Sequence, residues 1–239
     1  MIIEFEKNIG ETMDEVIRRF KNEYLLKDNI KIAYAGRLDP LAFGKIILLT
    51  EDDIYKKDQY CGKNKTYTCT IVHGIQTDTF DIMGKIISEN EWKPIYDNIK
   101  DIEYEQIYPM YSSIHVIQNG MRKPLWYYEK NNIKVENMPS KKVKLLNGEK
   151  ISNDLIISSK DLFDIITNRI NKVKKDTYRQ EEIINLWKEK LSNLDDSKES
   201  SIKLSKWEFN ISSGGYIRYL ANKMNGCCFD IQRIRYYDL

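Results

Sequence analysis

The stretch that most restricts how this chain can fold is Gly36-Arg-Leu-Asp-Pro-Leu-Ala-Phe-Gly44, where the residues themselves enforce a turn. Pro40 fixes its own φ and pushes Asp39 out of the helical region towards extended geometry. The glycines at either end allow turns, or a close approach of backbone or ligand, that a side chain would block. Leu38, Leu41 and Phe43 can anchor such a loop while its one carboxylate, Asp39, faces outward. Two readings stay open on the local pattern: a plain Asp-Pro connection, or a loop that presents a single acid for chemistry.

Length and charge narrow the classes around that loop. The chain has 239 residues, enough for one large domain or two small ones with ample core. The formal charge is only +2, so an RNA site must be a local patch of Lys and Arg rather than a whole-protein field. Cys61, Cys69, Cys227 and Cys228 contain no C-x-x-C pair, and two histidines complete a poor inventory for zinc or for a disulfide framework. No cationic-then-apolar leader opens the chain, and no apolar run nears the roughly 18 residues of a membrane span. The expectation is an intracellular, cytoplasmic monomer with no metal and no membrane partner.

Several elements can be placed from pattern. Thr12 and Glu15 form a capping box ahead of a helix whose apolar stripe is Met13, Val16, Ile17, Phe20 and Tyr24. Residues 45–49 read as a buried strand, and 65–74 alternate as a second one. Trp92 to Lys100 is a helix candidate, Asn119-Gly120 a hairpin turn, and Ser159 a helix cap. Leu162, Phe163, Ile165, Ile166 and Ile170, then Ile183, Ile184, Trp187, Leu191 and Leu194, mark two amphipathic helices, with a polar linker over 193–201. Their stripes can pack on the domain; the sharper alternative gives Lys172, Lys174, Lys175 and Arg179 an RNA-contacting role. Trp207, Phe209 and Ile211 alternate on a strand that ends in Ser212-Ser-Gly-Gly215.

The loop at 36–44 resembles the G-x-L-D-P-x-A-x-G signature of the TruB family of pseudouridine synthases. Further blocks keep the family's order. Lys65-Thr-Tyr67 is similar to its K-x-Y strand, and Gln76-Thr-Asp-Thr-Phe-Asp-Ile-Met-Gly84 to its x-T-D-T-x-D-x-x-G turn. Gln106 to His115 resembles Q-x-P-P-x-Y-S-A-x-K, with Tyr108, Ser113 and His115 at altered positions. Gly214-Gly-Tyr-Ile-Arg-Tyr-Leu220 resembles K-G-T-Y-I-R-[ST]-L, and Phe229 to Tyr236 the closing strand with its L-R-R end.

The resemblance implies an α+β fold: a bent, mainly antiparallel sheet with flanking helices and a central active-site cleft. It implies one catalytic domain over 1–239, carrying a helical insertion at 153–201. The chain stops after the last family strand, so the small RNA-binding PUA domain of many relatives is expected to be absent. Pseudouridine formation breaks a C1′–N1 bond, turns the uracil and rejoins it through C5, without cofactor. By the resemblance Asp39 is the catalytic carboxylate, acting as nucleophile or as base at the sugar. Arg218 would hold and aim it with a bidentate fork, and Tyr67 would stack on uracil and relay the C5 proton. Ile234 would pack on the base and Tyr216 line the wall, with Tyr34, Gly36, Arg37, Leu38 and Lys65 completing the substrate site. The implied partner is RNA, with the T-loop uridine 55 of tRNA first. Another RNA, or RNA binding without catalysis, are the alternatives.

Overall fold

The computed structural model describes residues 1–89, 98–174, 178–195 and 201–237. Its strands are β1 (Ile2–Lys7), β2 (Ile32–Ala35), β3 (Phe43–Thr50), β4 (Lys65–His73), β5 (Ile75–Thr77), β6 (Ile86–Glu89), β7 (Asn98–Ile107), β8 (His115–Gln118), β9 (Met121–Pro124), β10 (Ser140–Lys150), β11 (Leu155–Ser158), β12 (Ser201–Ile211) and β13 (Gly226–Tyr236). Its α-helices are α1 (Met13–Glu23), α2 (Lys57–Cys61), α3 (Leu125–Lys130), α4 (Ser159–Ile170), α5 (Gln180–Asp195) and α6 (Ile217–Lys223). Nine strands form one mixed sheet in the order β1-β3-β13-β4-β12-β10-β7, with β2 added to β3 and β11 to β12. The fold is α+β, and within this sheet β13 against β3 is the one parallel pairing among the described residues.

That parallel seam positions the Asp39 loop. β2 pairs with residues 47–50 of β3, while β13 pairs with Phe43 and Gly44 on the same strand. The connection 36–42 therefore springs out where the pairing of β3 passes from β2 to β13. Gly44, at φ +101°, lets the strands close: a Cβ there would lie 2.3 Å from the Arg233 carbonyl oxygen. No L-residue side chain fits such a gap.

Helices cover the sheet through the stripes their spacing predicts. α1 opens with the Thr12–Glu15 capping box and buries Met13, Val16 and Phe20 against Phe5, Ile46 and Leu48. Burying side chains of that size stabilises by about 1.5–3 kcal/mol each. α4 and α5 bury Leu162, Ile166, Ile170, Ile183, Trp187 and Leu191 against Val72, Ile82, Ile202 and Leu204. The Trp187 indole donates to the Ile82 carbonyl at 3.1 Å, pinning α5 to the turn at 78–84. α6 packs Ile217, Leu220 and Ala221 on a core that includes Cys228 and Ile231.

Three local expectations shift. Ser158, not Ser159, caps α4, because its hydroxyl reaches the Asp161 N–H. Residues 98–100 begin β7, laddered to β10, instead of ending a helix; 92–97 lie outside the described residues. The segment 153–201 opens with a strand, β11, before its two helices; of the polar stretch 193–201, residues 196–200 also fall outside the described residues, and 193–195 close α5.

Candidate active site

Asp39 and Arg218 meet. Arg218 Nε lies 2.9 Å from Asp39 Oδ2 and 3.7 Å from Asp81 Oδ2. The arginine side chain is 3% exposed and Asp39 is 36% exposed, so the cation is sealed in while the carboxylate faces out. The pairing is not the bidentate fork anticipated from the residue types. Arg218 Nη1 donates to the Thr79 carbonyl at 2.6 Å and Nη2 to the Tyr111 carbonyl at 3.2 Å, leaving Nε alone for the carboxylates. The Nε–H meets no acceptor in hydrogen-bond geometry, so its contact with Asp39 is an ion pair. Burial works against the Arg218 charge, but Asp39 and Asp81 outweigh it and raise its pKa. Burial likewise pushes the Asp81 carboxyl up, with Arg218 opposing.

Lys7 fixes the backbone that carries Asp39. Its Nζ donates to the carbonyls of Asn8, Pro40 and Ala42 at 3.1, 3.1 and 2.7 Å. Burial lowers its pKa to about 8 against the pull of Asp39. The Asp39 carbonyl accepts from the Ala42 N–H at 3.0 Å, closing the turn that Pro40 starts.

The carboxylate opens on a hollow of about 260 Å³. Gly36, Arg37, Leu38, Lys65, Tyr67 and Tyr216 line it with the ion pair. Tyr216 stands edge-on to Tyr108 at 5.5 Å, and burial, with Asp39 adding to it, pushes its hydroxyl up to about 12. Gln106, fully buried, shapes this wall by donating to the Gly214 carbonyl at 3.1 Å and accepting the Tyr216 N–H at 2.7 Å. Lys65 reaches the hollow, but its Nζ is spent on the carbonyls of Cys61 and Lys63 at 2.9 and 2.6 Å. Burial, then the charge of Arg233, lowers the Lys65 pKa to about 8.

Two expected site residues lie elsewhere. Tyr34 sits on β2 against the α1 core, with the Lys57 ammonium 5.6 Å from its ring, because strand alternation points Ala35 the other way. Ile234 falls in a bulge of β13 between Arg233 and Arg235 and is not among the lining residues. Ile231 and Arg233, two apart on one face, line the hollow instead.

Arg233 is the residue that pattern reading missed. Only 1% exposed, it donates from Nε to the Tyr67 hydroxyl at 3.2 Å, from Nη1 to the Gly36 carbonyl at 2.8 Å and the Tyr236 hydroxyl, and from Nη2 to the Arg37 carbonyl at 3.2 Å. One side chain thus ties the tyrosine of β4 to the start of the Asp39 loop. Burial opposes its charge, and the flanking Tyr67 and Tyr236 raise its pKa. Ile231 and Ile234 stand three apart on a strand, which breaks the two-residue period; that spacing was the available sign of the bulge.

Among the described residues, no group of three or more His, Cys, Asp or Glu is placed to hold a metal ion. Nor is any described helix long and apolar enough to cross a membrane.

Comparison with known proteins adds the family. Residues 21–189 match the model of the TruB family pseudouridylate synthase (N terminal domain). The chain belongs to the TruB family. The tRNA pseudouridine synthase B of Mesoplasma florum is 33% identical over 164 residues, 65% of this chain and 55% of that protein. The tRNA pseudouridine synthase B of Caldicellulosiruptor saccharolyticus is 32% identical over 142 residues, 56% of this chain and 46% of that one. This TruB-family chain therefore spans about half the length of the curated relatives it matches. A crystal structure of a Cbf5-Nop10-Gar1 complex is 14% identical, with a TM-score of 0.47, covering 98% of this chain and 48% of that one.

Proposed function

We propose that the chain is an RNA pseudouridine synthase that isomerises an everted uridine, with Asp39 as its catalytic carboxylate and the T-loop uridine 55 of tRNA as its substrate. One observation carries the reading: a half-exposed carboxylate, backed by a buried arginine 2.9 Å away, opens on a hollow that Tyr67 and Tyr216 also line. Membership in the family and the printed names of the relatives support the reaction class and the RNA.

The residues divide the work. A stacked nucleotide hides its C1′–N1 bond, so the uridine must leave the stack at a few kcal/mol. Aromatic faces such as Tyr216 recover about 1–3 kcal/mol per base. Asp39 then attacks C1′ or takes a proton from the sugar, and in either route the C1′–N1 electron pair leaves with uracil. The base turns and C5 bonds to C1′, as the Asp39–C1′ bond breaks in the first route or the sugar regains its proton from Asp39 in the second. The C5 proton departs through the Tyr67 hydroxyl and N1 takes a proton, so nothing is gained or lost overall. Arg218 holds the carboxylate in place, and Ile231 supplies the apolar contact first expected of Ile234. The whole of 1–239 works as one catalytic unit, with 153–201 as an addition packed on it.

Release of tritium from [5-³H]uracil-labelled tRNA tests the proposal. Wild-type protein should release it, and Asp39→Asn should slow release by at least about 10³-fold. A wild-type protein that leaves all label in place on tRNA and on other folded RNAs would remove the enzymatic reading. Release from another RNA but not from tRNA would remove only the substrate.

A further inference from the structure

Arg179 stands just ahead of α5, and its guanidinium is committed within the protein. Nη1 and Nη2 donate to Asp78 Oδ2 and Oδ1 at 2.9 and 3.3 Å, while its Cζ lies 4.5 Å from the centroid of the Tyr111 ring. A planar fork can meet a carboxylate through its edge and an aromatic ring through its face at once, which a lysine cannot do. Both contacts lead to Arg218. The Tyr111 carbonyl accepts from Arg218 Nη2, and the residue after Asp78, Thr79, offers the carbonyl that accepts Nη1. Asp78 Oδ1 also takes the Lys85 N–H at 2.8 Å, so the same carboxylate closes the turn that carries Thr79. With its Nε–H in no hydrogen bond, Arg218 is held in direction by those two carbonyls beside its ion pairs with Asp39 and Asp81.

We propose that Arg179 is a positioning residue that holds the Tyr111 and Thr79 carbonyls in register and so sets the direction of Arg218 towards Asp39. The proposal rests on the reading of Asp39 and Arg218 as the working pair. It gives Arg179 a part in the site without contact with RNA, in place of the phosphate-binding role its charge suggests; Lys175 lies outside the described residues. Lys172, in the connection between α4 and α5, presses from the other side. A Cβ on Gly10 would lie 2.1 Å from the Lys172 carbonyl oxygen, and the Gly10 N–H donates to Pro40, next to Asp39.

Two readouts on Arg179→Met test this: the single-turnover rate of tritium release from tRNA, and the NMR resonance of the Arg218 Nε–H in the free protein. The saturating rate should fall about tenfold while the half-saturating RNA concentration stays within about twofold, as for lost alignment rather than lost binding. The Arg218 resonance should shift or broaden. Arg179→Lys should recover less than about threefold of the rate, since it keeps the charge and loses the fork. Should Arg179→Met not fold, Tyr111→Leu gives the same comparison with the Arg179–Asp78 pair intact. An unchanged resonance overturns the proposal. So does an unchanged saturating rate with weaker RNA binding and a shallower salt dependence, which would make Arg179 a phosphate contact. If wild-type protein proves inactive, the enzymatic reading falls, and the resonance still decides whether Arg179 holds Arg218.

Discussion

Arg233 Nε and the Tyr67 hydroxyl lie 3.2 Å apart on paired strands, and the same guanidinium grips the Gly36 and Arg37 carbonyls. The ring of β4 and the loop of Asp39 are therefore one assembly. Arg233→Met should leave two carbonyls and two phenol oxygens without this donor. Each such loss costs about 1–3 kcal/mol, so the variant should unfold at a distinctly lower urea concentration. Arg233→Lys should restore part of the stability, because one ammonium cannot reach four acceptors on three sides. Urea titration of the three proteins, with tritium release alongside, checks both expectations.

Ile231 and Ile234 invite a direct comparison. Ile231 lines the hollow, whereas Ile234 sits in the bulge of β13. Ile231→Ala should slow tritium release about tenfold or more, and Ile234→Ala should leave it within about twofold. The reverse result would place the working face of β13 one step along the strand.

Gln106 bonds the Gly214 carbonyl and the Tyr216 N–H with the two ends of one amide. Gln106→Leu keeps the bulk and removes both bonds. The expected loss is about 2 kcal/mol of stability by chemical denaturation. The rate should fall with it, since Tyr216 immediately precedes α6 and Arg218.

His73 supplies a pH test away from the site. Its Nε2 lies 2.6 Å from the Ser205 hydroxyl oxygen, and burial lowers its pKa to about 4 from 6.5. The unfolded chain then binds the proton first, so stability is full above pH 6.5 and falls as pH drops towards 4. The span amounts to up to about 3 kcal/mol. The urea midpoint should fall less between pH 7 and 4.5 in His73→Gln than in wild type.

Local chemistry made much of this readable. Pro40 between Gly36 and Gly44 dictates a turn whatever surrounds it, and the Thr12–Glu15 box and the stripe on α1 are read within one helix. Asn119 and Gly120, both at positive φ, close the β8–β9 turn their types suggest. The distant partners were less accessible. That Arg218 meets Asp39 came from motif resemblance, while its actual partners, the Thr79 and Tyr111 carbonyls, depend on backbone that no residue type announces. Arg233 reads by residue type as an outward-facing cation on a strand, although its register with Ile231 puts both on the inward face. Tyr34 points away because pairing with β3 decides its face, and β2 alone is too short to reveal that register.

Because β13 lies between β3 and β4, the sheet has a gap in its middle until residues 226–236 arrive. A growing polypeptide would hold two unjoined half-sheets until that strand emerges, with long-range closure as the slow event. Arg233 arrives on that same strand. The hollow beside Asp39 thus cannot be complete before residues 226–236 are made, and a chain short of them carries no working version of it.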